Sequence, residues 1–370
     1  MTKERRSIKV LVVEDSPVVQ EFLVYVLSSD PEIQVVGTAD NGEEAIEAVK
    51  TRQPHVITMD IHMPKVNGFD ATRKIMETHP TPIIIVSGST TTEEIATTFH
   101  ALEAGALAVV RRPEGIGHPE HETTAGELRK TVKLMSEVKV IRRWARPAGR
   151  KEERSLANFI PSPAFQQEMQ TAVDVRVVAI GASTGGPVLL QKIFTSLPQD
   201  YAVPVLIVQH MASGFLQGFV EWLNESSSLP ISVASHGERL LPGHVYVAPD
   251  GFHMGVEAPG RILLSRDDLE NGLRPSVSFL FRSVANLYGK HAIGVLLTGM
   301  GKDGAEELKL LKDNGALTIA QDKESSVVHG MPGEAIAQGA ATYVLTPEKI
   351  IGALKSLVRK MSEGGSDEIS

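Results

Sequence analysis

Residues 175–186 read V-R-V-V-A-I-G-A-S-T-G-G, an apolar, β-branched run that ends at a serine among small residues. A run this short, bounded by glycine, favours a buried strand over a helix. Pro187 then opens an apolar segment with helical spacing, and proline suits a first helical turn because its missing N–H is no loss there. Ser183 is therefore predicted at a strand-to-helix turn on the carboxyl edge of a parallel sheet, where open α/β sheets bind ligands.

Ser183 also lies within the pattern G-x-S-x-G, which it forms with Gly181 and Gly185. The pattern is typical of a nucleophile elbow, in which small neighbours let a strained turn present the serine oxygen. It also occurs in ordinary tight turns whose serine only caps the next helix. The pentapeptide alone leaves catalysis and capping open, because such short patterns are common.

The overall composition limits the class of protein. The chain has 370 residues, 42% hydrophobic and 22% charged, which indicates a globular protein of two domains. Its net charge of −8 argues against nucleic-acid binding as the main role, and the absence of cysteine excludes disulfides, cysteine-bound metals and a thiol nucleophile. No signal peptide and no apolar run of ~20 residues is found, so we expect a cytoplasmic protein without direct membrane insertion.

Residues 7–144 alternate short apolar runs with amphipathic segments, which predicts βαβ units around a parallel sheet. The predicted strands are 8–13, 33–36, 56–59, 82–86 and 107–110, and the predicted helices are 18–27, 42–49, 69–77 and 93–104. A loop over 115–121, whose two histidines we expect to be solvated, is followed by helical spacing over 127–144.

Acidic residues follow two strands of this first domain. Glu14 and Asp15 come after the first strand and Asp60 after the third, so the three carboxylates should converge at one edge. Clustered carboxylates repel one another unless a cation neutralises them, and an all-oxygen set favours Mg²⁺. Ser87 and Arg112 follow the fourth and fifth strands, which adds a hydroxyl and a cation suited to phosphoryl oxygens.

These residues resemble a response-regulator receiver domain, which is a flavodoxin-like fold. The resemblance covers residues 8–113: Glu14-Asp15, the stretch 59–64 (M-D-I-H-M-P) with Gly68, Val86-Ser87, and Ala104-Gly105. It implies that Asp60 is the phosphorylated residue, that Glu14, Asp15 and the His62 carbonyl assist the Mg²⁺, and that Ser87 and residue 112 act in the switch. Receivers usually carry a Lys-Pro pair after the fifth strand. In this chain the residue before Pro113 is Arg112, whose cation is broader and planar.

Residues 145–172 are predicted to be an interdomain linker, basic at first and interrupted by proline, and residues 173–361 a second domain. Strand and helix patterns alternate again in this domain, which favours a doubly wound, Rossmann-like sheet. The predicted helices are 188–197, 215–225, 277–288, 305–314, 333–338 and 347–360, and the predicted strands outside the next region are 203–209, 293–298, 317–320 and 343–345. Between 231 and 265 we expect short strands (245–248, 254–256 and 262–264) that form hairpins decorating the sheet.

Ser183, His210 and Asp303 each follow a predicted strand of this second sheet, and Asp303 lies in the glycine-rich loop 299–304. Together they supply a nucleophile, a general base and an orienting acid for acyl transfer, with backbone amides to hold an oxyanion. Singly, Asp303 could be a helix cap and His210 a structural residue. Four other histidines compete for the base role: His236, His244, His253 and His329.

Chain order separates this domain from other classes. The order Ser183, His210, Asp303 differs from the Ser–Asp–His order of α/β-hydrolases, and the glycines lack the G-x-G-x-x-G spacing of a dinucleotide site. Residues 175–345 instead resemble the CheB family of chemotaxis protein-glutamate methylesterases. The matching stretches are 181–186, 208–211, 245–249, 274–277, 297–301 with Asp303-Gly304, and 321–332.

The resemblance implies a triad of Ser183, His210 and Asp303, with the Met300 amide as an oxyanion donor. It implies hydrolysis of glutamate γ-methyl esters on chemoreceptors without a cofactor for that reaction, and deamidation of receptor glutamines. A chemotaxis histidine kinase would phosphorylate Asp60 and relieve shielding of the Ser183 face by the receiver. The alternative is a non-enzymatic two-component regulator that acts through protein contacts; no helix-turn-helix pattern supports a transcription factor.

Overall fold

The computed structural model describes residues 7–89, 91–138, 140 and 174–358. The chain divides into two compact units between residues 148 and 149, and each is described by itself. The predicted linker at 145–172 lies outside the described residues. The domain boundaries therefore stay predictions.

The first unit is a five-stranded parallel sheet in the order β2-β1-β3-β4-β5. The side chains of β3 and β4 are buried throughout, which explains their unbroken apolar sequence. The strands are β1 Ile8–Val13, β2 Ile33–Ala39, β3 Val56–Met59, β4 Ile83–Ser87 and β5 Ala108–Arg111. The helices are α1 Pro17–Ser28, α2 Gly42–Arg52, α3 Gly68–Thr78, α4 Thr92–Ala104 and α5 His121–Ser136. The predicted α/β architecture is confirmed.

Helix α5 lies earlier in the chain than the sequence predicts. It begins at His121, inside the expected loop, and ends at Ser136; the last part of the expected helical segment, 141–144, lies outside the described residues. The His121 ring is not solvated as expected: Nδ1 lies 2.6 Å from the Glu114 carbonyl oxygen, and the ring packs against Phe22 of α1 with centroids 5.9 Å apart. These contacts fix the first turn of the helix, and they join residues too far apart to be visible in a local pattern.

The second unit is a seven-stranded parallel sheet in the order β14-β13-β12-β6-β7-β9-β8, with a separate β10-β11 hairpin. The strands are β6 Val177–Ala182, β7 Val205–Gln209, β8 Ile231–Val233, β9 Val245–Val247, β10 His253–Glu257, β11 Arg261–Ser265, β12 Ala292–Leu296, β13 Leu317–Gln321 and β14 Tyr343–Leu345. The helices are α6 Gly186–Ser196, α7 Leu216–Ser226, α8 Val277–Tyr288, α9 Ala305–Asp313, α10 Met331–Ala337 and α11 Pro347–Val358. In the part of the chain that is described, no helix combines the length and apolarity needed to cross a membrane.

The hairpin prediction for 231–265 is only partly right. β10 and β11 pair as an antiparallel hairpin, but β9 joins the central sheet in parallel with β7 and β8. All three side chains of β9 are buried in that sheet. Three residues flanked by glycine and proline do not reveal which strand they will pair with, and this explains the error.

The sheet order places the predicted triad on three adjacent strands. β6 pairs in parallel with β7 on one side and with β12 on the other. Ser183 follows β6, His210 follows β7, and the loop that contains Asp303 follows β12. Since carboxyl ends of neighbouring parallel strands share one edge, all three residues lie at the same edge of the sheet.

Candidate active site and phosphoacceptor site

Ser183 lies in the turn between β6 and α6, and its backbone is held on three sides. Its N–H donates to the Thr298 carbonyl at 3.0 Å, and its carbonyl accepts from the Gly186 N–H at 2.8 Å and from Gln209 Nε2 at 2.9 Å. Its half-buried hydroxyl has no hydrogen-bond partner among the described residues and does not cap α6. The helix-capping alternative thus finds no contact to support it, and the oxygen is free to react.

His210 contacts a buried acid. Its Nε2 lies 3.0 Å from Oδ2 of Asp303, and the two side chains are only 10% and 2% exposed. The pair lies at ion-pair distance but lacks the alignment of a hydrogen bond. Nε2 faces the carboxylate, and Nδ1 has no hydrogen-bond partner among the residues that the structure describes. The competing histidines contact backbone or hydroxyl groups instead: His236, His244, His253 and His329.

The Asp303 carboxylate lies at the N-terminus of α8 and not at that of α9, the next helix in the chain. Oδ2 accepts a hydrogen bond from the Val277 N–H at 2.7 Å, and Oδ1 accepts one from the Ser276 hydroxyl at 2.7 Å. Free N–H groups at a helix N-terminus stabilise an anion. Burial alone would raise the pKa of Asp303, but the His210 contact and these donors hold that pKa well below its usual range. The acid is therefore ionised at neutral pH.

Two backbone amides are available for an oxyanion. The N–H groups of Met300 and Thr184 have no hydrogen-bond partner within the described part of the chain. Gly299 packs against the serine so closely that a Cβ there would lie 2.7 Å from the Ser183 Cβ, which brings the residue before Met300 beside the nucleophile. Sequence analysis missed Thr184, although the amide after the nucleophile is the usual donor in a G-x-S-x-G turn.

The three acids predicted to assist a cation do come together. Ligand oxygens of Glu14, Asp15 and Asp60 lie within 4.8 Å of one another at the carboxyl ends of β1 and β3. Burial, with help from the Asp60 charge, raises the pKa of Glu14 to about 7, and burial also raises the pKa of Asp60. A bound cation would stabilise the ionised forms that burial and the neighbouring charges disfavour, and hard oxygen donors of this kind fit Mg²⁺.

The chain around Asp60 is fixed by close backbone contacts. The His62 N–H donates to Asp60 Oδ2 at 3.1 Å, while the His62 side chain is exposed. Gly68 packs directly on this loop, and a Cβ at residue 68 would lie 2.1 Å from the Asp60 carbonyl oxygen. A side chain at residue 68 would force the Asp60 backbone to move, so glycine is needed there.

Ser87 and Arg112 meet at the neighbouring strand ends, as predicted. The Arg112 N–H donates to the Ser87 carbonyl at 2.8 Å, and the Ser87 hydroxyl accepts from the Ser89 N–H at 3.2 Å. The Arg112 guanidinium lies against Gly88, where a Cβ would be 2.6 Å from its central carbon. Its charge acts on Glu14, which places the cation near the acidic cluster.

Comparisons with known proteins match both units of the chain. The family model for CheB methylesterase matches residues 178–354, and that for the response regulator receiver domain matches residues 10–118. A protein-glutamate methylesterase/protein-glutamine glutaminase from Nitrosospira multiformis is 59% identical over 356 residues, which are 96% of this chain and 98% of that protein. The chain belongs to the CheB methylesterase family.

Other members show the same coverage. A Methanospirillum hungatei protein-glutamate methylesterase/protein-glutamine glutaminase is 48% identical over 95% of this chain and 98% of its own length. Among solved structures, the Thermotoga maritima CheB methylesterase catalytic domain has 42% identity and a TM-score of 0.49, covering 50% of this chain and all of that chain. The predicted family and the predicted enzyme class, a methylesterase that carries a receiver domain, are confirmed.

Proposed function

We propose that this chain is a cytoplasmic response regulator that hydrolyses glutamate γ-methyl esters on chemoreceptors and deamidates receptor glutamines at Ser183. The activity is the one that gives its relatives their name, at 59% identity over nearly the whole chain. The observation that carries the assignment of residues is the contact of His210 with the buried, ionised Asp303, beside a serine hydroxyl without a partner.

In the proposed reaction, the Asp303 carboxylate keeps the imidazole proton of His210 on Nε2, the ring nitrogen that faces it at 3.0 Å, and so keeps Nδ1 unprotonated as the base. Nδ1 takes the hydroxyl proton as Ser183 Oγ attacks the ester carbonyl carbon. The amides of Met300 and Thr184 hold the negative oxygen of the tetrahedral intermediate.

The imidazolium of His210 then returns its proton to the leaving methoxide, and methanol departs from an acyl-serine. A water molecule, deprotonated by the same imidazole, attacks the acyl carbon and releases glutamate and the free serine. With a glutamine side chain the same route expels ammonia in place of methanol.

The receiver is proposed to take a phosphoryl group from a histidine kinase onto Asp60. The raised pKa of Glu14, the convergence of three carboxylates and the absence of any non-oxygen donor in the cluster support a Mg²⁺ site at Glu14, Asp15 and Asp60, with the His62 carbonyl. When bound, Mg²⁺ would neutralise these carboxylates and the incoming phosphoryl oxygens. The Ser87 hydroxyl and Arg112 would contact the remaining phosphoryl oxygens, and this contact would relieve inhibition of the esterase.

The assignment of the nucleophile is tested by methanol release from a methyl-esterified chemoreceptor fragment. We expect Ser183→Ala to abolish release, whereas Ser356→Ala, which removes an exposed hydroxyl bonded to the Ala353 carbonyl, should leave it unchanged. Full activity of the Ser183→Ala protein would reject the proposed nucleophile. No release by the unsubstituted chain would favour the non-enzymatic regulator.

A further inference from the structure

A tight turn at residues 270–273 contacts the Oδ1 side of the Asp303 carboxylate. Asn271 and Gly272 both have positive φ, 52° and 75°, and the flanking Glu270 and Leu273 exchange backbone hydrogen bonds at 3.1 and 2.8 Å. This is a two-residue turn of the type that Asn-Gly favours. From its first position, Asn271 Nδ2 donates to Asp303 Oδ1 at 3.0 Å.

Ion pairs of Arg282 connect this turn to helices α8 and α9. Arg282 of α8 holds Glu270 with two parallel contacts of 3.0 and 2.7 Å, and its Nη2 also lies 3.3 Å from Glu307 of α9. Paired contacts between a guanidinium and a carboxylate fix orientation as well as distance. Glu270 therefore anchors the residue next to Asn271 and limits how far the turn can move.

The donors divide between the two carboxylate oxygens in a way that matters for His210. Oδ1 accepts from the side chains of Ser276 and Asn271 and, at 3.3 Å, from the Ser278 N–H, which leaves Oδ2 to the Val277 N–H and to the contact with Nε2 of His210. A carboxylate held on one oxygen cannot rotate that oxygen toward the imidazole. We infer that Asn271 is a positioning residue, which locks the Asp303 carboxylate so that Oδ2 faces His210.

This inference rests on the proposed triad and adds a residue to it. Asn271 does not need to touch the substrate, so its amide should affect kcat and leave KM unchanged. The charged or titratable groups in contact with this network, among the residues that the structure describes, are His210, Asp303, Glu270, Arg282 and Glu307. Of these, Asp303 is hydrogen-bonded to the Asn271 side chain, whose Nδ2 also donates to the Ser278 hydroxyl at 3.4 Å.

Two substitutions separate the amide donor from the turn. Asn271→Gly and Asn271→Asp both keep a residue that tolerates positive φ before Gly272. Both remove the donor, and only the second adds a charge. We expect each variant to lose about tenfold in kcat, because a hydrogen bond to a charged group is lost.

The pH profile distinguishes positioning from a role in folding. A second carboxylate beside Asp303 stabilises the imidazolium, so the acid limb of kcat/KM should move up by about one pH unit in Asn271→Asp. It should not move in Asn271→Gly. Gln53→Gly is the matched control, since Gln53 also has a positive φ, 47°, but lies in the receiver unit.

The assay is methanol release by the full chain across pH, with Ser183→Ala measured in parallel. Wild-type kcat in both Asn271 variants, or a slow Asn271→Asp with an unmoved acid limb, would overturn the positioning role. An active Ser183→Ala protein would instead overturn the triad, so the two failures are distinguishable.

Discussion

Replacing Asp303 by asparagine tests the proposed geometry most severely. Neighbouring hydrogen-bond donors face both oxygens of the Asp303 carboxylate. The carbonyl oxygen of the new amide can satisfy only one side, and its NH₂ group must face donors on the other. The donors on the Oδ1 side are Ser276 Oγ, Asn271 Nδ2 and the Ser278 N–H. On the Oδ2 side the Val277 N–H donates, and His210 Nε2 lies at 3.0 Å. The amide should therefore keep its oxygen on the more crowded Oδ1 side.

That orientation changes which ring nitrogen of His210 carries the proton. The NH₂ group at the Oδ2 position donates to Nε2 of His210, so the ring proton moves to Nδ1, the atom that should accept the proton of Ser183. Loss of the base in this way lowers kcat by about four orders of magnitude, which is about 5 kcal/mol of transition-state stabilisation. The Val277 N–H, left facing a donor, costs about 1–3 kcal/mol of folding stability.

Methanol release from a methyl-esterified receptor fragment measures the first effect, and urea unfolding followed by the fluorescence of buried Trp222 measures the second. Asp313→Asn is the matched control, because Asp313 is exposed and, among the described residues, its ion-pair partner is Lys309 at the end of α9. The reasoning would be refuted by a folded Asp303→Asn protein whose kcat stays within tenfold of the Asp313→Asn value.

Three further predictions concern the receiver and the pH dependence of stability. Gly68→Ala should lower the free energy of unfolding by about 2 kcal/mol, because the added Cβ displaces the Asp60 backbone. Gly126→Ala should raise it by about 1 kcal/mol, because Gly126 lies in α5 with open space around it. Equal effects of the two substitutions in urea unfolding of the full chain would contradict the packing argument. Asp60→Asn should keep basal methanol release but lose any stimulation by Mg²⁺ and acetyl phosphate, and stimulation that persists would place the phosphoryl group elsewhere. Because the folded pKa of Asp303 lies below the ordinary 3.8, its stabilising effect is complete above that pH and is lost as pH falls through the folded pKa. The unfolding difference between wild type and Asp303→Asn should thus be constant from about pH 8 to 5 and shrink below about pH 4, and a difference unchanged at pH 3 would argue against this ionisation.

Much of the fold could be read from short apolar runs because buried parallel strands need continuous β-branched sequence. Ile8–Val13 and Val56–Met59 have the predicted bounds, and so does helix Val277–Tyr288. The errors fall where pairing is non-local. β9 has too few residues for its sequence to indicate which strand it pairs with. The start of α5 depends on a contact between His121 and Phe22.

The site could be anticipated where strand ends carry reactive side chains. This rule singled out Ser183, His210 and Asp303 as candidates beside other histidines, and the sheet order puts them after adjacent strands. What surrounds them could not be predicted, because Asp303 is bonded to residues 25 to 32 positions away in the chain. The Asn271-Gly272 pair was a readable turn signal, but nothing local indicates that its amide points at an acid.

The most direct test of a Ser183 esterase under receiver control is methanol release from a methyl-esterified chemoreceptor fragment, with and without Mg²⁺ and acetyl phosphate. The account predicts release by the unsubstituted chain that increases with the phosphoryl donor, and no release by Ser183→Ala in either condition. Release that ignores the donor would contradict the proposed control by Asp60 and Arg112. Release that survives Ser183→Ala would contradict the catalytic assignment itself.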